Sequence, residues 1–169
     1  MKICFICTLY GSVKNHNYLS LAVEDEVISS IGRGLCVLIG ISKDDTKRDI
    51  EYIARKILGI RLFEDERGKR WNLSVKDKGY EILCISQFTL YHVLKGNKLD
   101  FHNAMATEKS EAFYQEFIGL LRAQYQADLI KDGKFGAYMQ VNIQNDGPVT
   151  IELESPQQEE ASEPQFDVV

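Results

Sequence analysis

The chain has 169 residues, 44% of them hydrophobic and 27% charged, with a formal net charge of −5. That is one domain's length of chain with enough apolar material for a core. No apolar run approaches the roughly 20 residues of a membrane-spanning helix, and there is no basic excess of the kind that tracks a long nucleic-acid backbone. The acidity sits mostly in the tail: Glu159, Glu160, Glu163 and Asp167 stand there without a Lys or Arg, so residues 1–155 are close to neutral. Lys95-Gly96-Asn97-Lys98 and Lys131-Asp132-Gly133-Lys134 remain as local basic patches that could hold a few phosphates and otherwise read as solvated turns.

In chain order, residues 3–7 are apolar and suit a strand. They are followed by Tyr10-Gly11-Ser12 without a small-residue cleavage site, so a cytoplasmic protein is expected rather than a secreted one. Residues 19–23 suit a second strand, and 34–41 a buried one ending at Gly40. Asp45 or Thr46 then caps a helix whose Ile50, Ile53, Ala54, Ile57 and Leu58 fall at i, i+3, i+4, i+7 and i+8. Residues 60–63 read as a strand, Asp65-Glu66-Arg67-Gly68 as a turn toward Trp71, and 80–90 as one long strand. A second helix is predicted over about 107–126, with Phe113, Phe117, Leu120 and Leu121 on one face.

Two strands follow, 137–144 and 149–154. In the first, Tyr138, Gln140, Asn142 and Gln144 alternate with Met139, Val141 and Ile143, a period of two. Asn145-Asp146-Gly147 connects them, and Pro148, which cannot donate to a ladder, marks the second start. The sum is an α/β fold: a mixed, largely antiparallel, barrel-like sheet with two main helices. Residues 1–155 form the domain, and 156–169 are expected to be a disordered acidic tail.

Cys4, Cys7, Cys36 and Cys84 do not form a disulfide framework in a chain of this size. Cys36 and Cys84 lie in apolar runs, as small buried hydrophobes do. Cys4 and Cys7 make a C-x-x-C without a second ligand pair, so a zinc or redox role is not expected.

Two segments stand out: Ser86-Gln87-Phe88-Thr89-Leu90 and Asn145-Asp146-Gly147-Pro148-Val149-Thr150. Each lies at the edge of a strand-like run and joins small hydroxyl residues to backbone that a ligand can approach closely. Neither is built around an acid–base pair or a metal-ligand set. A site made from them must work largely through main-chain N–H and C=O groups. With Gly32-Arg33-Gly34-Leu35-Cys36-Val37-Leu38, Lys95-Gly96-Asn97-Lys98 and Lys131-Asp132-Gly133-Lys134-Phe135-Gly136-Ala137, they occur in an order that closely resembles the D-aminoacyl-tRNA deacylase family, over residues 31–156.

The resemblance implies a homodimeric cytoplasmic esterase without metal or cofactor. Its partner would be the 3′ terminal adenosine end of aminoacyl-tRNA, freed from D-amino acids and from mischarged glycine. Ser86, Gln87, Phe88 and Thr89 would lie at the ester, positioning it and stabilising the tetrahedral oxyanion through backbone N–H groups. Gly147-Pro148, continuing into Val149 and Thr150, would adopt a cis peptide and reach into the partner subunit's site. There it would exclude L side chains sterically, so that specificity comes from repulsion. Glycine, with no side chain to reject, would pass.

Phe135, Gly136 and Met139 either line the adenosine pocket or form strand core with Gly136 as a bulge. Thr89 as a nucleophile would need a base in reach, and His92 is near in sequence. On a continuing strand residues i and i+3 face opposite sides, whereas a strand ending at Leu90 leaves that geometry open. His16 and His102 show no carboxylate partner at a telling spacing. The first eighteen residues diverge from the family beyond Met1-Lys2, lack its usual Arg, and carry a longer connection over 10–17. Leu99 and Ala106 replace prolines common in it. The alternative function is a catalytically impaired variant acting as a dimer partner or RNA-end-binding module.

Overall fold

The computed structural model describes residues 1–7, 19–144 and 149–156. Strand β1 (Lys2–Cys7) opens the chain, β2 (Leu19–Val23) and β3 (Glu26–Ile31) pair as a hairpin, and β4 (Gly34–Gly40) follows. Helix α1 (Lys47–Gly59) leads into the short pair β5 (Arg61–Phe63) and β6 (Leu73–Ser74). A single turn, α2 (Val75–Lys78), precedes strand β7 (Glu81–Ser86). The hairpin of β8 (Val93–Lys95) and β9 (Lys98–Asp100) comes before the long helix α3 (Thr107–Gln124). Strands β10 (Ile130–Asp132), β11 (Gln140–Ile143) and β12 (Val149–Glu154) complete the chain.

The main sheet has the order β10-β7-β4-β1-β12, and a smaller antiparallel sheet has the order β11-β2-β3. β7 runs parallel to β4 and β10, whereas β1 is antiparallel to β4 and β12. This is the mixed, largely antiparallel α/β architecture expected from the sequence. β4 and β7 are covered on both faces, which is why they read as unbroken apolar runs. Leu35, Val37, Ile39, Ile82 and Cys84 face the core shared with α1 and α3. The alternate residues Cys36, Leu83 and Ile85 pack with Leu19, Leu21 and Ile31 of the smaller sheet. The divergent opening segment takes its place in this scheme. β1 lies between β4 and β12, with Ile3 fully buried.

Helix α1 forms as its pattern requires, with all five predicted apolar residues buried. Thr46 is the cap, its N–H and hydroxyl both donating to the Asp49 carboxylate at 2.8 Å. Asp45, the other candidate, instead binds the Met1 amino group. In α3 the buried stripe is Tyr114, Phe117, Ile118 and Leu121. Phe113 and Leu120, expected at its centre, lie partly buried beside the core. The buried stripe runs at i, i+3, i+4 and i+7 through Tyr114; it shares Phe117 and Leu121 with the expected face and replaces Phe113 and Leu120 by Tyr114 and Ile118.

Two strand boundaries differ from expectation. The strand predicted to reach residue 90 stops at Ser86, where residues Phe88–Tyr91 wind into a 3-10 turn. The strand predicted from residue 137 begins at Gln140, leaving 137–139 as loop. β3, β10 and the β8–β9 hairpin went unpredicted, being short or largely exposed. Cys36 and Cys84 are free and buried; burial pushes the Cys36 thiol up to about 12 and raises that of Cys84 as well. Cys4 is also raised, by burial and then by Glu152, which opposes a thiolate role for the C-x-x-C. The Cys7 side chain and residues 157–169, all but the first residue of the tail expected over 156–169, fall outside the described residues. No helix among the described residues is long and apolar enough to cross a membrane.

Candidate active site

The sheet opens into a cavity of about 740 Å³ where β4 and β7 end. Ser86, Gln87 and Phe88 form one wall, and Phe135, Gly136 and Met139 form another. Two motifs nearly fifty residues apart in sequence therefore share one cavity. Among the described residues, its lining carries no charged side chain. Apolar walls with a few polar groups suit a small organic moiety rather than a polyanion. Helix α3 begins at this cavity, and Ala106 at its N-cap position offers no side-chain acceptor. The partial positive charge of the helix start is thus left uncapped beside the cavity.

The backbone around Gln87 sets the local chemistry. Its N–H donates to the Ile39 carbonyl at 2.7 Å, and its carbonyl accepts from the Leu90 N–H at 3.2 Å, starting the 3-10 turn. The first donors of such a turn have no partner inside it. The N–H groups of Phe88 and Thr89 are those donors, and neither donates to any of the described residues. Phe88 lines the cavity and is 59% exposed.

Thr89 does not line the cavity. Its hydroxyl accepts a hydrogen bond from Gln87 Nε2 at 2.6 Å. The nearby imidazole does not address that hydroxyl: His92 Nδ1 donates to the Thr89 carbonyl oxygen at 2.9 Å. The pairing that would activate Thr89 as a nucleophile is therefore missing in this arrangement. Thr89→Ala is expected to lower any hydrolytic rate by no more than about tenfold, through loss of the Gln87 contact. Single-turnover kinetics would check this, and a fall to the uncatalysed rate with the fold intact would restore Thr89 as nucleophile.

The loop 133–139 is shaped by two glycines. Gly136 has φ +69° in a turn closed by the Ala137 N–H donating to the Lys134 carbonyl at 3.2 Å, so it is a turn residue and not a bulge. A side chain at Gly133 would come within 2.7 Å of Met139 Sδ, so its absence lets Met139 lie across it. Phe135 rests on the Tyr114 ring, with centroids 5.5 Å apart. Phe135 and Met139 each line the cavity and pack against buried core, as loop residues and not as part of a strand.

Of the other motif, only Val149 and Thr150 are described, and neither lines this cavity. Gly147 and Pro148 lie outside the described residues. Val149 and Thr150 begin β12, at the edge of the main sheet. Val149 pairs with Cys7, which pairs with Leu35, whereas Ser86 pairs with Ile39 at the other end of β4. Three strand spacings across and four residues along separate Val149 from Ser86 by about 20 Å.

Sequence reasoning missed the third wall, made by Phe101, Ala104, Met105 and Thr107. Its signal was available: apolar Phe101 and Met105 in a segment with neither helical nor strand period. This wall is tied down by the Met105 N–H donating to the Ile41 carbonyl at 2.9 Å and the Lys43 N–H donating to the Asn103 carbonyl at 3.0 Å. His102, expected to lack a carboxylate partner, has one: its Nδ1 bonds Asp100, whose other oxygen takes Lys95 Nζ. A spacing of two residues hides such a pair in the sequence, because only a turn brings the two side chains together.

The profile of the family described as D-Tyr-tRNA(Tyr) deacylase matches residues 12–154. D-aminoacyl-tRNA deacylase 1 of Homo sapiens is 66% identical over 137 residues, covering 81% of this chain and 66% of that protein. The chain thus matches just under two thirds of the length of that relative. D-aminoacyl-tRNA deacylase of Drosophila melanogaster is 61% identical over 140 residues, covering 83% of this chain and 88% of that protein. Among solved structures, one described as c-Myc DNA Unwinding Element Binding Protein superposes with a TM-score of 0.85 at 59% identity, covering 93% of this chain and 100% of the other. A probable eukaryotic D-amino acid tRNA deacylase shares the fold, with a TM-score of 0.75 at 18% identity over 92% of this chain and 100% of the other.

Proposed function

The chain belongs to the D-Tyr-tRNA(Tyr) deacylase family, and on that premise we propose that it hydrolyses the ester of D-aminoacyl-tRNA, and of glycine mischarged on tRNA, in the cytoplasm. The observation that carries this reading is the Phe88 N–H at a cavity without a charged lining residue, with the Thr89 N–H next to it in the same turn; neither donates to any of the described residues. Ester hydrolysis passes through a tetrahedral oxyanion. Preorganised N–H donors stabilise that charge as it develops, and loss of one such donor typically costs about 3 kcal/mol of barrier. The terminal adenosine would occupy the apolar end between Phe135 and Met139, with the aminoacyl group toward Ser86. Attack by water, assisted by the vicinal ribose hydroxyl of the substrate, needs no side-chain nucleophile.

A homodimer is part of the proposal. The 20 Å separation estimated for Val149 and Ser86 of one protomer supports a Gly147-Pro148 segment that serves the site of a second copy. In that position, backbone against one side of the substrate Cα would reject L side chains. Gly147→Val is expected to abolish deacylation of the D substrate by filling that space. An unchanged rate would remove the segment from the site.

The decisive assay follows ester loss from D-Tyr-tRNA, L-Tyr-tRNA and Gly-tRNA with purified protein. Turnover of the first and third, with the second spared, is the expected result. A folded protein that turns over none of them is instead an RNA-end-binding variant.

A further inference from the structure

The β8–β9 hairpin stands beside the cavity with an arrangement of charge that its own stability does not favour. Lys95 and Lys98 lie directly opposite each other across it, joined by Gly96 and Asn97. Like charges at directly opposed positions destabilise a strand pair. Lys95 is compensated by Asp100, the diagonal residue on the same face. Lys98 has no carboxylate partner among the described residues, and its side chain is exposed.

Asp100 does more than offset one lysine. Its carboxylate also accepts from the His102 N–H at 2.9 Å and from His102 Nδ1. These contacts, Lys95 first and then His102, hold the carboxyl well below the usual carboxylate range, so it stays ionised and fixes the imidazole. With Nδ1 engaged, Nε2 is the end of the exposed ring left for a ligand. Asp100 and His102 flank Phe101, which lines the cavity and meets Phe88 edge to face with centroids 5.0 Å apart. His102 is therefore one residue step, about 4 Å of backbone, from the cavity wall, and Lys98 is three steps, about 10 Å of extended backbone, from it. The cavity lining itself carries no charge to balance a phosphate.

We propose that Lys98, Lys95 and His102 form a clamp for the phosphodiester that joins the terminal nucleotide to the rest of the RNA 3′ end. This rests on the reading of the cavity as the seat of that terminal adenosine. A phosphodiester follows directly on the ribose of the bound nucleotide, so a nucleoside in the cavity brings this anion to its rim. Lys98 meets it as a free point charge, and His102 Nε2 as a directed donor when protonated. The clamp explains how a chain without overall basic excess holds a polyanion: the favourable charge is concentrated at one phosphate.

Binding of uncharged tRNA, read by fluorescence anisotropy across a salt series, tests the clamp without relying on catalysis. Lys98→Glu is expected to weaken binding about tenfold and to reduce the slope of log affinity against log salt by about 1, whereas Lys98→Arg retains both. Lys56→Glu, an equal charge change in the last turn of α1, should leave affinity unaltered. With tRNA lacking its terminal adenosine and the attached phosphate, wild type and Lys98→Glu should bind alike. The proposal is overturned by any of three results: wild-type affinity in Lys98→Glu, an equal loss in Lys56→Glu, or a difference that persists on the shortened RNA. Absence of tRNA binding by the wild type also overturns it. A protein that shows the Lys98-dependent binding but hydrolyses no ester refutes the esterase reading and leaves the clamp in place.

Discussion

Replacing Gly40 with valine is expected to slow hydrolysis of D-Tyr-tRNA by about 100-fold or more while the protein still folds. Gly40 is the last residue of β4, and the turn carrying Gln87 to Tyr91 packs directly on it. A Cβ at this position would stand 2.8 Å from Leu90 Cβ and 3.2 Å from both the Gln87 carbonyl oxygen and the Tyr91 ring. Two of those atoms belong to backbone or to a stem that moves only with backbone, so the turn itself has to shift. The same turn orients the N–H groups of Phe88 and Thr89, which donate to none of the described residues. Displacement by part of an ångström misdirects donors whose value depends on aim. The stability cost is expected at about 1–3 kcal/mol, as for other overpacked sites. Denaturant unfolding alongside single-turnover kinetics separates the two effects. A valine variant with the wild-type rate would show that this turn does not position the reacting ester.

Gly34→Ala is expected to have the opposite profile, a large loss of stability with the rate per folded molecule preserved. Gly34 begins β4 at the end remote from the cavity and pairs with Glu81. A methyl group there would lie 1.8 Å from the Glu81 carbonyl oxygen and 2.7 Å from its carbonyl carbon. Glu81 has little freedom to withdraw. Its N–H donates to the Arg33 carbonyl at 3.1 Å, and its side chain accepts from the Gly32 N–H at 2.6 Å. The start of the parallel β4–β7 ladder must therefore open, at an expected cost of about 3–4 kcal/mol. In a domain of this size that corresponds to a fall in Tm of roughly 10 °C. Calorimetry that finds a change under 3 °C would mean that the two backbones are not in the contact described.

Much of this was legible in the residues because it is local. The stripe from Ile50 to Leu58 and the cap at Thr46 specify α1 within one stretch of chain, and the structure buries all five apolar positions. Strands β2 and β12 fall at the predicted residues. Errors collected where local and tertiary preferences compete. Apolar residues continue past Ser86 to Tyr91, so periodicity alone extends the strand. The turn forms because Gly40 leaves room for it and Ile39 captures the Gln87 N–H. Residues 137–139 alternate like a strand, yet Met139 is drawn onto Gly133 and into the cavity.

By itself the sequence determined the class of fold, the family, and the segment on which a main-chain site would have to rest, since these are written in periodicity, capping and short motifs. Only the tertiary structure decided what meets at the cavity. The order β10-β7-β4-β1-β12 brings residues 86–88, 101–107 and 135–139 together, and the same order leaves Val149 about 20 Å away by strand spacing. It also decided that Gln87 and not His92 holds the Thr89 hydroxyl, and that Asp100 gathers Lys95 and His102 beside the cavity wall. Strand pairing and packing act between residues far apart in the chain, and no window of sequence contains both partners.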